Sequence, residues 1–81
     1  MEFPCRFPIK AMGPAHADMA AIVLEIVGRH APGLDPTATQ VRTSSGGKWL
    51  AVTVVIEAES RAQLDAIYQD LTAHESVVWA L

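Results

Sequence analysis

The stretch "EFPCRFPIKAMG", residues 2–13, decides the fold, because its reading as a strand sets the order of everything after it. Phe3, Cys5, Phe7, Ile9 and Ala11 alternate with Pro4, Arg6, Pro8, Lys10 and Met12, the period of two that a β-strand imposes. Two prolines interrupt it, and Arg6 and Lys10 load its polar side with positive charge. Proline cannot donate to a ladder, so a central strand here predicts either a bulge near Pro8 or a neighbouring edge strand that stops short of it.

Working outward, "GPAHADMAAIVLEIVGRHAPG" (13–33) reads as a helix. Gly13 and Pro14 are expected at its N-cap and first position, and Met19, Ile22, Val23, Ile26, Val27 and His30 form one apolar stripe. Arg29 and His30 suit the negative C-terminal end, and Pro32 and Gly33 stop the helix. "LDPTATQVRTS" (34–44) leads into a modest strand with Thr39, Val41 and Thr43 on one side and Gln40 and Arg42 on the other. "SSGGK" (44–48) marks a hairpin turn.

The strongest strand is "WLAVTVVIEA" (49–58). Leu50, Val52, Val54 and Ile56 line one face and Trp49, Ala51, Thr53, Val55 and Glu57 the other, so it is expected in the middle of a sheet. A second helix follows in "SRAQLDAIYQDLTAH" (60–74), with a Ser60–Gln63 capping box and a stripe of Leu64, Ile67, Tyr68 and Leu71. "SVVWAL" (76–81) closes as a short strand whose bulkier side is Val77, Trp79 and Leu81.

The order βαββαβ predicts one α+β domain over residues 1–81. Its expected form is the ferredoxin-like, split-βαβ sandwich: a four-stranded antiparallel sheet with both helices on one face. The first and third strands lie inside and the others at the edges. An open meander would leave the two helix stripes without a common surface to cover.

The net charge of −3 argues against a whole-molecule field for nucleic acid or anionic membrane. The single cysteine excludes an internal disulfide framework and fits a reducing compartment. The start "MEFPCR" lacks the basic and apolar regions of a signal peptide, and "MAAIVLEIV" (19–27) is too short to span a bilayer; a cytoplasmic location is expected.

"FPCRFPIKAMG" (3–13), "IVGRHAPG" (26–33) and "LDAIYQDLTAHESVVWAL" (64–81) together resemble the YbeD-like family of small bacterial proteins of unknown function. The resemblance spans nearly the whole chain. It implies a ferredoxin-like domain similar in shape to the small-molecule-sensing ACT domains, and supplies no catalytic residues. Family members tend to lie near lipoate-attachment genes, which implies a pathway rather than an activity.

Few residues suggest chemistry. Cys5 alternates with Phe3 and Phe7 and is expected to point inward as a small hydrophobe rather than act as a nucleophile. His16, His30 and His74 lack metal-ligand spacing, and helix-end capping accounts for the latter two. His16, expected in the first helical turn, joins Met12 and Gly13 as a candidate anion-binding loop, where ACT-like effectors lie by resemblance. Asp65, Asp70, Glu57 and Glu59 read as solvated charge.

The uncovered sheet face is expected to display Arg6, Pro8, Lys10, Arg42, Trp49, Thr53, Val55 and Val78. Such a mixture of apolar groups and cations marks a partner surface. Of these, Arg6, Lys10, Arg42, Trp49, Thr53 and Val55 are the candidate interaction residues. The occupant is expected to be a second copy forming a homodimer, a small anionic ligand, or a partner protein. RNA is disfavoured, because the first strand offers no aromatic to stack a base. The resulting expectation is a non-enzymatic regulatory or interaction module without cofactor or metal. It senses a small anionic ligand or modulates a partner enzyme; the alternative is an adaptor docking through its sheet face.

Overall fold

The computed structural model describes residues 2–44 and 46–81. Chain order is β1 (Cys5–Pro14), α1 (Met19–His30), a 3-10 turn (Pro36–Ala38), β2 (Thr39–Thr43), β3 (Trp49–Ala58), α2 (Arg61–Ala73) and β4 (Trp79–Ala80). The four strands form one antiparallel sheet in the order β2-β3-β1-β4, with β1 and β3 inside as the alternation on both faces requires. Ser45, in the hairpin turn expected over 44–48, lies outside the described residues; Gly47, in the same turn, takes a φ of 70°.

One face of the sheet carries both helices. Ile9 and Ala11 of β1 and Val52, Val54, Ile56 and Ala58 of β3 are buried there against Met19, Val23, Ile26 and Val27 of α1 and Leu64, Ile67 and Leu71 of α2. Among the described residues no polar side chain is buried in this layer, so its stability rests on apolar area removed from water. Cys5 packs at its margin, half-buried on the inner side. No described helix is long and apolar enough to cross a membrane.

Pro8 needs no bulge. The register between β1 and β3 runs unbroken from Cys5 opposite Ala58 to Pro14 opposite Trp49. Ala15 donates to Lys48 O at 2.8 Å, which sets the phase: odd residues of β1 exchange hydrogen bonds with β3. Even residues face the other way, as in the reciprocal bonds of Lys10 with Leu81 at 2.9 and 2.7 Å. Pro8 is therefore turned toward β4, and Leu81 already stands opposite Lys10, short of it. The pairing of β4, with Met12, Ala11 and Lys10, does not reach Pro8, so no β4 bond calls on its missing donor, and the bulge is not present. Pro8 thus lacks a donor at a position of β1 that β4 does not pair, a device that blunts a sheet edge. Pro8→Thr is expected to change the unfolding free energy by less than ~1 kcal/mol, because no β3 bond is involved. The same variant should aggregate faster; urea unfolding and light scattering check the two halves.

Helix α1 begins later than the Gly-Pro pair suggests. Gly13 and Pro14 belong to β1, paired with Leu50 and Trp49, and Asp18 is the N-cap, accepting from Ala21 N–H at 3.4 Å. His16 therefore sits exposed in the turn before the helix, not in its first turn. Helix α2 starts at its expected cap: Ser60 Oγ accepts from Gln63 N–H at 3.1 Å. Gln63 reaches back one residue further than a standard box, accepting from Glu59 N–H at 2.7 Å while donating to His30 O at 2.8 Å. The end of α1 is so tied to the start of α2. A second tie is His30 Nε2 against Asp70 Oδ2 at 2.6 Å, which corrects the reading of Asp70 as merely solvated.

Candidate functional site

The helix-free face of the sheet is read directly from the register. Residues directly opposite share a face, so two rows cross it: Trp79–Met12–Ala51–Arg42, and Leu81–Lys10–Thr53–Gln40. Strand β3 carries small side chains here, Ala51 and Thr53, while its neighbours carry long ones, Arg42 and Gln40 on β2 and Met12 and Lys10 on β1, with Trp79 beyond them on β4. A low floor between raised rims makes a cleft of about 520 Å³, closed at one end by Pro8.

Lys10 and Arg42 stand on β1 and β2, separated by the width of β3 and by one row. Strand spacing and rise put their Cα atoms about 12 Å apart, within reach of one anion held above Ala51 and Thr53. No Asp or Glu side chain stands in either row, so both cations are uncompensated from within the cleft. Thr53 and Gln40 add hydrogen-bonding groups, and Trp79 and Met12 form an apolar wall. The arrangement can hold an anionic head by charge and a small apolar body by contact. Among the described residues no group of three His, Cys, Asp or Glu could hold a metal ion.

The sequence-derived residues are divided by this geometry. Lys10, Arg42, Thr53 and Met12 come together in the cleft, with Pro8. Arg6 and Val55 lie instead at a larger cleft of about 890 Å³, where the start of β1 and the end of β3 meet the α1–β2 connection. Glu57, directly opposite Arg6, faces that cation. Asp35 and Glu59 make the lining acidic on balance. Thr37 donates its N–H at 2.9 Å and its hydroxyl at 2.7 Å to Asp35, and these bonds hold that carboxyl below its ordinary range. Despite its size, this cleft repels an anion.

Trp49 is on the open face opposite Pro14, beyond the cleft. Trp79, not Val78, represents β4 there; the chain turns between residues 74 and 78, so the alternation expected through Val77 and Trp79 breaks. Val77 is buried under the helices, whereas Trp79 is 36% exposed. Trp79 joins Trp49 as a second open-face aromatic, but it stands at the sheet edge rather than on an inner strand. Gly13 is buried beneath Ser76 and Met19, and the loop set of Met12, Gly13 and His16 does not converge. Asp18 already places a carboxylate at the α1 start, which opposes an anion there. Trp79, Gln40 and Ala51 are the cleft residues that sequence reasoning left out. The Trp79 phase break carried no local signal, whereas Gln40 is legible as the neighbour of Arg42 on its side of β2.

A family model described as a protein of unknown function, DUF493, matches residues 1–81. A UPF0250 protein of Chromobacterium violaceum is 48% identical, over 99% of this chain and 90% of the relative. A UPF0250 protein of Nitrosomonas europaea is 44% identical, over 100% of this chain and 93% of its own length. The solution structure of protein HP0495 from H. pylori superposes with a TM-score of 0.76 at 15% identity, covering 100% of this chain and 85% of that one. The last likeness is one of fold, and it agrees with the ferredoxin-like architecture.

Proposed function

The chain belongs to the DUF493 family, also named UPF0250, whose members are proteins of unknown function, and from that premise we propose a non-enzymatic binding module for a small organic anion. The site is the open-face cleft, and the anion is a carboxylate. Lys10 and Arg42 supply the charge, Thr53 and Gln40 the orienting hydrogen bonds, and Trp79 the wall for the ligand's apolar part. The observation that carries this reading is the pair of uncompensated cations over a low floor, in a protein whose net charge is −3. A local positive site in an acidic molecule concentrates an anion without attracting polyanions over the whole surface. Regulation of a partner enzyme then follows from differential affinity: an occupied module favours one of the partner's two states.

Thermal unfolding against amino acids, lipoate and short acyl anions tests the site. Lipoate is included because the family's gene neighbourhood suggests that pathway. A bound carboxylate at 100 times its Kd is expected to stabilise by ~2.7 kcal/mol, a rise of roughly 10–20 °C for a domain of this size. No shift with any anion, together with a stable protein complex that Trp79→Glu disrupts, would replace this reading by the adaptor.

A further inference from the structure

The geometry points to a second copy of this chain as the partner of strand β2, paired antiparallel edge to edge into one continuous sheet. The two edges of the sheet are guarded differently. On the β4 side the edge strand is only two residues long, and β1 beside it has Arg6 and Pro8 in the phase facing outward, with Pro4 just before the strand. That edge offers no run of donors. Strand β2 is less protected: Thr39–Thr43 contains no proline or lysine, its register with β3 has no bulge, and its one charge, Arg42, stands at a position paired to β3.

The phase of β2 identifies which groups are free. Ser44 donates to Trp49 O at 2.9 Å, so even residues of β2 exchange hydrogen bonds with β3. Thr39, Val41 and Thr43 direct their N–H and C=O groups away from the sheet. Their side chains lie on the helix side, where neither helix extends over the middle of β2, and Val41 is 49% exposed. A strand of β-branched residues with outward backbone groups is a template for another strand.

The sequence also selects the register. With Val41 on the two-fold axis, Thr39 pairs with Thr43 of the second copy, every residue of β2 is paired, and the two Val41 side chains meet. Arg42 then falls opposite Gln40 of the second copy. A slip of two in register one way sets Arg42 against Arg42, and a slip the other way leaves Arg42 and Thr43 outside the strand pairing. Only the central register avoids a facing pair of like charges and uses the whole strand, and it is isologous, as a closed dimer requires.

Sedimentation of the full chain over a concentration series tests the pairing. Wild type is expected to form a dimer. Val41→Pro removes a donor that points away from β3, so the internal ladder survives while association weakens by at least about 100-fold. Val41→Lys keeps the N–H but sets two ammonium groups on the axis, and is expected to be monomeric with an unchanged circular dichroism spectrum. Trp79→Glu should remain dimeric, which separates the edge from the open face. If Val41→Pro fails to fold, Val41→Lys carries the test. A wild type that stays monomeric to its solubility limit, or a dimer that Val41→Lys retains, overturns the inference.

Discussion

Gly13→Ala is expected to destabilise the domain by ~3 kcal/mol or more, a large share of the ~4–12 kcal/mol available to a chain of this length. A Cβ at Gly13 would lie inside the 3.0 Å limit of both the Ser76 carbonyl oxygen and the Met19 side chain. Met19 is flexible and can swing aside at the cost of core packing. Ser76 cannot, because its carbonyl belongs to the segment that leads into β4 and is held by Val77 N–H to His74 O at 3.0 Å and Val78 N–H to Met12 O at 2.8 Å. Relief would require either β1 to move, breaking its pairing with Leu50, or β4 to detach. Gly28→Ala is the control in the same experiment. Its added Cβ would meet only Leu34 Cδ2 at 4.0 Å, and alanine favours the helix by ~1 kcal/mol, so that variant should be no less stable than wild type. Urea unfolding of the three proteins by circular dichroism reads the difference. A Gly13→Ala protein with wild-type stability would mean that the segment at Ser76 shifts without cost.

The same glycine shows why the architecture was legible while its joints were not. The alternation of β3 and the stripes of α1 and α2 are local patterns, and burial follows them residue by residue. A Gly-Pro pair before an apolar run, however, is equally a helix start and a strand end. What decides between them is a pairing partner, Trp49, more than thirty residues away. Trp79 was misplaced for a related reason: period-two reasoning assumes an unbroken strand, and the turn at residues 74–78 resets the phase. Pro8 was half-legible. Pro8 and Pro14 share one phase, so their missing donors fall on one side of the strand, but which neighbour pairs on that side, and how far, is a tertiary fact. The acidic cleft joins Phe3, Leu34 and Glu59, residues from three separate segments with no common period.

Lys10→Glu combined with Arg42→Glu is expected to weaken carboxylate binding about 100-fold while leaving the fold intact. In a water-filled cleft each cation at ~5 Å from the anion contributes a little under 1 kcal/mol, and reversal turns attraction into equal repulsion, so two reversals remove ~3 kcal/mol. Both side chains are exposed and neither joins an ion pair among the described residues, so stability should change by less than ~0.5 kcal/mol per site. The competing explanation is the overall charge, which becomes more negative by four units with any such pair of reversals. Arg29→Glu with Arg61→Glu makes the same change on the helices, away from the open face, and should cost much less, because a Debye length of about 8 Å screens distant charge at physiological salt. Titration of both double variants with the carboxylate that most stabilises wild type separates the two accounts. Equal losses would assign binding to the molecule's general field; a loss confined to Lys10 and Arg42 assigns it to the cleft, where raising salt should also weaken wild-type binding.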